Sequence, residues 1–366
     1  ALSEFEGHGR LASRMVSTSA GVSTIRLPII RQAPSPRAVA LILRVDQPVF
    51  SASCSGVMNS RSPGVTCRAP CGNGWHERRL CLVAPNSTWL PASMLDALTT
   101  ETKTAKAYVT GFITPSSWAE QMLCQYTKLP IHLWHHGIDE RFSFAGDRQT
   151  RRDTLAAGLS ALHLASTPNQ RKGTRELIEA WSSLVSKKVL GKDPMLNMVI
   201  DGASDDIRSF VEKNLHTDDQ LKTIRMFDRQ GLSVEDAAKM YSVHHVTIQP
   251  SRGEAFGMCL NESRACSTPV VATNATGHRD QLSGEFGTYC GVAVVTVGDL
   301  APIDDGPGAM APVVEVVDLE SAIGSVYRDW QQYEEDIATE QFRKKLFCNW
   351  SWKAVTERWL EEMEIS

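Results

Sequence analysis

Two glutamates, Glu254 and Glu262, sit eight positions apart in the stretch HHVTIQPSRGEAFGMCLNESRACSTPVVATN at 244–274. Helical spacing from Phe256 to Cys266 puts Met258, Glu262, Ala265 and Cys266 on one face, with Cys259 beside them. Most of that face is apolar, so Glu262 stands where a core residue belongs, and a buried carboxylate needs partners. Gly257 opens the helix, where free N–H groups and the dipole favour an anion. Carboxylates suit hydroxyl groups and a helix start suits phosphate. A ligand carrying both, such as a nucleotide sugar, fits the pair.

A second cluster points the same way. In STPNQRKGT at 166–174, Arg171 and Lys172 stand at the start of a helix that runs through Trp181 and Leu184. Cations there oppose the dipole unless an anion is nearby, which suggests a diphosphate clamp. Exposed basic residues in a loop would read identically. Weaker candidates lie in the first half. Gly7 and Gly9 flank His8 before an amphipathic stretch, and Arg44 ends an apolar run. Ser87 follows another apolar run, and His135 and His136 close a third. These are cleft or acceptor positions if polar residues past the ends of parallel strands meet ligand.

The elements that must position these groups alternate. The run at 245–249, the loop from Pro250, the helix and the run at 269–273 form a strand–loop–helix–strand unit, the repeat of a parallel sheet. Strands are also expected at 159–165, 195–200 and 224–227, with helices at 205–214 and 234–241. Strands or loops follow to about 316, then helices at 318–334, 336–346 and 351–363. In the first half, strands are expected at 23–28, 38–45, 80–83, 107–113 and 130–137, with helices at 91–98 and from Ser117 to about Thr127. The polar stretch IDERFSFAGDRQTRRD at 138–153 reads as a linker.

Composition sets the bounds. A chain of 366 residues, 42% hydrophobic and 22% charged, supports two globular domains. No apolar run approaches the ~18 residues of a membrane span. The start lacks the basic and apolar segments of a secretion leader. Of 38 Lys and Arg against 42 Asp and Glu, residues 1–150 hold 15 and 10, so the first part is positive and the rest negative. An anionic acceptor, nucleic acid included, is compatible with that asymmetry. Nine cysteines, an odd number, imply mostly free thiols and a reducing, cytoplasmic setting. Cys54, Cys67, Cys71, His76 and Cys81 could hold a metal, but no second close pair completes the set.

Assembled, the pattern resembles a retaining glycosyltransferase of family 4 with GT-B architecture. PSRGEAFGMCLNESRACSTPVVAT resembles the family's E-x7-E segment, and QRKGTRELIEAW its Lys-Gly motif. ITPSSWAEQML, HHGID, APNSTWLP and GHGRLA are fainter echoes; Ala255 and Asn261 depart from the usual residues. The resemblance implies an α/β fold of two Rossmann-like, doubly wound parallel-sheet domains facing across a cleft. Residues 1–145 would bind the acceptor and 146–350 the donor, with a helix at 351–366 packing back on the first domain. Arg171 and Lys172 would neutralise the leaving diphosphate, and Glu254 would hold sugar hydroxyls. Glu262 would hold the ribose diol. Backbone at Phe256, Gly257 and Met258, with Gly173 and Ser251, would complete the donor site. No divalent metal or other cofactor is implied. The acceptor is a hydroxyl compound of open class: glycan, lipid or hydroxylated nucleic-acid base. The acceptor-activating base is unassigned, with His8 and His76 as candidates. A sugar-nucleotide epimerase of the same architecture and a non-catalytic nucleotide-sugar-binding protein are the rival readings.

Overall fold

Short apolar runs joined through helices pair in parallel, because a crossover returns the chain to the same end of the sheet. The computed structural model describes residues 80–82, 111–143, 146, 148–165, 170–200, 205–215, 217–228, 232–304 and 308–365. Its described residues fall in two compact units, one holding 80–82, 111–114 and 120–133, the other holding 115–119 and the chain from Trp134 onward. In the first, strands β1 (Leu80–Leu82), β2 (Gly111–Thr114) and β3 (Ile131–Leu133) form a parallel sheet in that order. Helix α1 (Ser117–Leu123) follows β2. The expected strand at 130–137 stops at Leu133. Past it, Trp134 packs 5.3 Å from Trp359, and a Cβ on Gly137 would meet the Trp352 backbone at 2.4 Å. That close approach requires irregular chain and a glycine.

The second unit is built on one sheet. Its strands are β4 (Ser160–Ala165), β5 (Met195–Ile200), β6 (Ile224–Asp228), β7 (Val246–Gln249), β8 (Val270–Thr273) and β9 (Val292–Val295). All are parallel, in the order β6-β5-β4-β7-β8-β9. Leu162 of β4 pairs with Asn197 of β5 on one side and Thr247 of β7 on the other. The chain therefore builds outward from β4, then returns to build in the opposite direction from β7. Such a reversal leaves a crevice beyond the C-terminal ends of β4 and β7, where open α/β sheets bind ligands. Strands β7 and β8 are buried at every residue, as expected of strands covered on both faces.

The covering helices explain the burial. The crossover helices are α2 (Arg148–Leu155), which precedes β4, α3 (Thr174–Ser186), α4 (Asp205–Asn214), the single turn α5 (Asp218–Leu221) and α6 (Val234–Val243). On the other side of the sequence come α7 (Cys259–Ala265), α8 (His278–Leu282), α9 (Val316–Arg328), α10 (Trp330–Ala338), α11 (Glu340–Trp350) and α12 (Trp352–Ile365). The inward face of α3, Leu177, Ile178, Trp181 and Leu184, packs into the main core with Leu319, Ile323 and Val326 of α9. Each such side chain contributes roughly 1.5–3 kcal/mol on burial. Leu260 and Leu282 pack with Val270, Ala272 and Val292 in a smaller cluster.

Two expectations differ from the structure for identifiable reasons. The stretch read as a linker contains a 3-10 turn, Glu140–Ser143, and α2. Three of its four arginines gather on Glu334, which is fully buried in α10 and accepts from Arg148 and Arg151, with Arg152 3.7 Å away, while Arg141 pairs with Asp139 and Glu235. The expected helix at 318–334 divides at Asp329, which lets Trp330 turn inward and donate to the His245 carbonyl at 2.7 Å. Another helix then starts where the Thr339 hydroxyl accepts from the Phe342 N–H. Between β9 and α9, where strands or loops are expected, the chain forms an antiparallel hairpin, β10 (Val297–Pro302) and β11 (Met310–Val314). Helix α12 belongs to the second unit, where Trp352 and Trp359 pack around Trp134.

Candidate active site

The crevice is formed by two loops pressed together. From β4 the chain runs to a 3-10 turn, Gln170–Lys172, then through Gly173 into α3. From β7 it runs through Pro250 and Gly257 into α7. Gly173 has φ +64°, and a Cβ there would lie 2.2 Å from the Pro250 carbonyl oxygen, so only glycine fits. The Arg252 N–H donates to the Arg171 carbonyl at 2.8 Å. In return, Arg171 Nη1 donates to the Gly253 carbonyl at 2.8 Å. Beneath them His163 Nδ1–H donates to the Ile248 carbonyl (2.8 Å), and its Nε2 accepts from the Thr174 hydroxyl (3.0 Å). That pairing requires a neutral ring, and burial pulls its pKa down to about 4.

The crevice carries concentrated charge. Lys172 Nζ lies 2.5 Å from Glu254 Oε1, and Arg171 Nη1 lies 3.7 Å from Glu254 Oε2. Glu254 is 8% exposed. Burial alone would raise its pKa, but Lys172 and then Arg171 outweigh it and hold the carboxyl at about 2. His278 also faces Glu254. Burial pulls its own pKa to about 4, so it is neutral near pH 7 and supplies no charge there. The Glu254 backbone is fixed as well: its N–H donates to Thr276 Oγ1 (3.0 Å), and its carbonyl accepts from the Gly277 N–H (2.9 Å).

The entry to α7 is tied from behind. Gln281 Nε2 donates to the carbonyls of Phe256 (2.6 Å) and Gly257 (3.0 Å). A trans peptide points its N–H opposite its carbonyl, so the N–H groups of Gly257 and Met258 face away from Gln281. The N–H groups of Phe256, Gly257 and Met258 donate to no protein group among the described residues. Gly257 has φ +83°, and a Cβ there would collide with the His278 ring at 2.2 Å. This conformation delays the helix to Cys259, three residues later than the spacing suggests. Ser251 is fully buried, and its hydroxyl has no protein partner among the described residues.

The expected site residues Arg171, Lys172, Gly173, Ser251, Glu254, Phe256, Gly257 and Met258 thus meet at the crevice. Glu262 lies on α7, 1% exposed, and accepts from the Tyr241 hydroxyl at 2.9 Å. Burial, then Cys259 and Glu262, push the Tyr241 phenol well above its ordinary pKa, so it keeps the proton it donates. The His136 ring stands 5.6 Å from Phe256 and 6.0 Å from Trp352. Burial and then His135 lower its pKa to about 4, although part of its surface stays accessible. Gly7, His8, Gly9, Arg44 and Ser87 lie outside the described residues, as do Cys54, Cys67, Cys71 and His76 of the possible metal set.

Sequence reasoning missed several contributors: His163, Tyr241, Thr276, His278 and Gln281. It also missed a network on Asp280, which accepts from the Ser117 N–H (2.7 Å) and hydroxyl and lies 3.0 Å from His135 Nε2. Burial works against the Asp280 charge, but those bonds hold its carboxyl below the usual range. The TGHRD run at 276–280 reads as a loop at a strand end, yet nothing local shows what its side chains meet. Among the described residues, no three His, Cys, Asp or Glu side chains group as a metal site would need, and no helix is long and apolar enough to cross a membrane.

The chain is similar to known proteins in sequence and in fold. Residues 158–303 match the family model described as "Glycosyl transferases group 1". D-inositol 3-phosphate glycosyltransferase 1 of Catenulispora acidiphila is 26% identical over 171 residues, covering 43% of this chain and 39% of that protein. N-acetyl-alpha-D-glucosaminyl L-malate synthase of Bacillus anthracis is 25% identical over 169 residues, covering 45% and 42%. The matches thus span about two fifths of the length of these curated relatives. Among solved structures, a glycosyltransferase from Rickettsia africae superposes with TM-score 0.54 at 17% identity, over 77% of this chain and 69% of that one. Anabaena HepE in complex with UDP gives 0.58 at 13%, over 79% and 73%. At these identities the likeness establishes the fold, which is GT-B.

Proposed function

We propose that this chain, whose residues 158–303 match the group 1 glycosyl transferase model and whose fold is GT-B, moves a sugar from a nucleoside-diphosphate sugar to a hydroxyl acceptor with retention. The observation that carries the reading is the placement of Arg171, Lys172 and Glu254 together where the sheet reverses, beside the N–H groups of Phe256, Gly257 and Met258. Two cations and free N–H groups suit a diphosphate, and a carboxylate held ionised suits sugar hydroxyls. Anabaena HepE was crystallised with UDP and glucose, which makes a UDP-sugar the first donor to try.

The bond between the anomeric carbon and the diphosphate oxygen breaks, and its electron pair leaves with the nucleoside diphosphate. Arg171 and Lys172 neutralise the charge that develops there, which lowers the barrier as an oxocarbenium-like centre forms. Glu254 steers Lys172 and binds donor-sugar hydroxyls. Glu262, oriented by Tyr241, takes the ribose diol. The acceptor hydroxyl attacks on the face the diphosphate leaves, so the anomeric configuration is kept. Its proton passes to the departing phosphate. The cations do the work a divalent metal does elsewhere, so transfer proceeds in a chelator.

The positive balance of residues 1–150 suits an acceptor carrying phosphate or carboxylate, and the names of two relatives contain inositol 3-phosphate and L-malate. The test is a transfer assay in EDTA with UDP-, GDP- and ADP-sugars against phosphorylated polyol, hydroxy acid, glycan, lipid and hydroxylated-DNA acceptors. The product linkage is read by NMR. Retained configuration in one donor–acceptor pair, lost in Glu254→Ala, is expected. Inverted product overturns the retaining chemistry, and an altered sugar nucleotide without acceptor marks an epimerase.

A further inference from the structure

The hairpin β10–β11 has no place in the alternating repeat, yet it reaches the crevice loops on both sides. Arg252 Nε donates to the Pro312 carbonyl of β11 at 2.8 Å. Its Nη1 lies 3.9 Å from Glu176 Oε1 on α3, and its own N–H holds the Arg171 carbonyl. At the other end of the turn, the Gln170 N–H donates to Asp304 Oδ1 at 3.1 Å. The hairpin has a small core of its own, Ile303, Ala309 and Ala311, which makes it a stiff support. Arg252 is 7% exposed, and its side chain runs to the hairpin rather than to Glu254.

We infer that Arg252 is a positioning residue which, with the β10–β11 hairpin, braces the Arg171–Lys172 turn against Glu254; the catalytic value of this brace rests on the donor-site reading above. The turn carries two adjacent cations that repel each other, and a short 3-10 turn has few backbone bonds of its own to resist them. A diphosphate clamp is effective only when its charges are fixed before the ligand arrives. Arg252 supplies that fixation by bonding the turn through its backbone and the hairpin through its guanidinium. The planar fork reaches Pro312 and Glu176 at once, and a lysine could replace only part of that.

The experiment uses the full chain. Binding of UDP, GDP and ADP is measured by calorimetry for wild type, Arg252→Gln and Arg252→Lys, with amide exchange followed by mass spectrometry. Arg252→Gln is expected to weaken the tightest nucleotide about tenfold or more and to speed exchange at 171–174, with β5 unchanged. Arg252→Lys should recover affinity to within about threefold, because one donor remains for the Pro312 carbonyl. Wild-type affinity or unchanged exchange at 171–174 in Arg252→Gln overturns the brace. If that variant does not fold, Asp304→Ala, at an exposed position, removes only the Gln170 contact. Faster exchange at 171–174 is then expected, and unchanged exchange overturns the proposal. If wild type binds none of the three nucleotides, the donor-site reading falls, and the exchange data alone decide the brace.

Discussion

Glu254→Gln should flatten the acid side of the stability curve. In the folded protein the carboxyl is held at about 2 against an ordinary value of 4.5, burial opposing the shift and Lys172 and Arg171 driving it. A gap of that size corresponds to about 3 kcal/mol in favour of the folded state. Because the folded value is the lower one, the unfolded chain takes up the proton first. The stabilisation is complete above about pH 4.5 and drains as pH falls towards 2. At pH 3 about 2 kcal/mol of it is gone. The assay is urea unfolding followed by tryptophan fluorescence at pH 6 and pH 3, which reports on Trp181 and Trp330 in the core of this unit. Wild type should lose about 2 kcal/mol more than Glu254→Gln over that interval. Carboxylates that do not face Glu254, such as Asp280, are present in both proteins and cancel in the difference, whereas His278 faces Glu254 and titrates near pH 4, so losing that charge disfavours its protonation and trims the difference. The substitution also leaves Lys172 without its partner, which lowers the variant's level at both pH values but not its slope. Parallel losses in the two proteins would refute the claim that Lys172 and Arg171 hold Glu254 ionised.

Two further substitutions probe the packing around the crevice. Gly173→Ala puts a Cβ 2.2 Å from a backbone oxygen at φ +64°, so it should cost about 1–3 kcal/mol and weaken nucleotide binding. A melting temperature and affinity equal to wild type would count against the close fit of the two loops. Tyr241→Phe removes a buried bond to a carboxylate and should cost about 1.5–3 kcal/mol in thermal unfolding. No change would mean that Glu262 does not depend on Tyr241.

The doubly wound sheet was legible because its strands are short, apolar and regularly spaced, so β5 and α4 appear at the residues the pattern indicates. The meeting of Arg171, Lys172 and Glu254 at the crevice was legible for a different reason. A glutamate on an apolar helix face and two cations at a helix start each violate a local preference, and such violations mark sites. What local pattern cannot carry is long-range pairing. Arg148 and Arg151 read as solvated until Glu334, 186 and 183 residues away, draws them inward. Tyr241 reads as the end of an amphipathic helix until Glu262 needs a donor. The delayed start of α7 follows from Gly257 packing on His278, a contact between separate loops. The β10–β11 hairpin mixes exposed and half-buried residues with two prolines, Pro302 and Pro312, so no clean period announces it.

The central claim is that Arg171, Lys172 and Glu254 form a donor-diphosphate site. The most direct measurement compares wild type and Lys172→Ala by thermal shift across UDP-, GDP- and ADP-sugars at matched concentrations. At about one hundred times the dissociation constant, a donor should stabilise wild type by about 2.7 kcal/mol. The account predicts such a shift for one nucleotide class in wild type and its near loss in a folded Lys172→Ala protein. A shift of equal size in both proteins, or none in wild type with any sugar nucleotide, would contradict it.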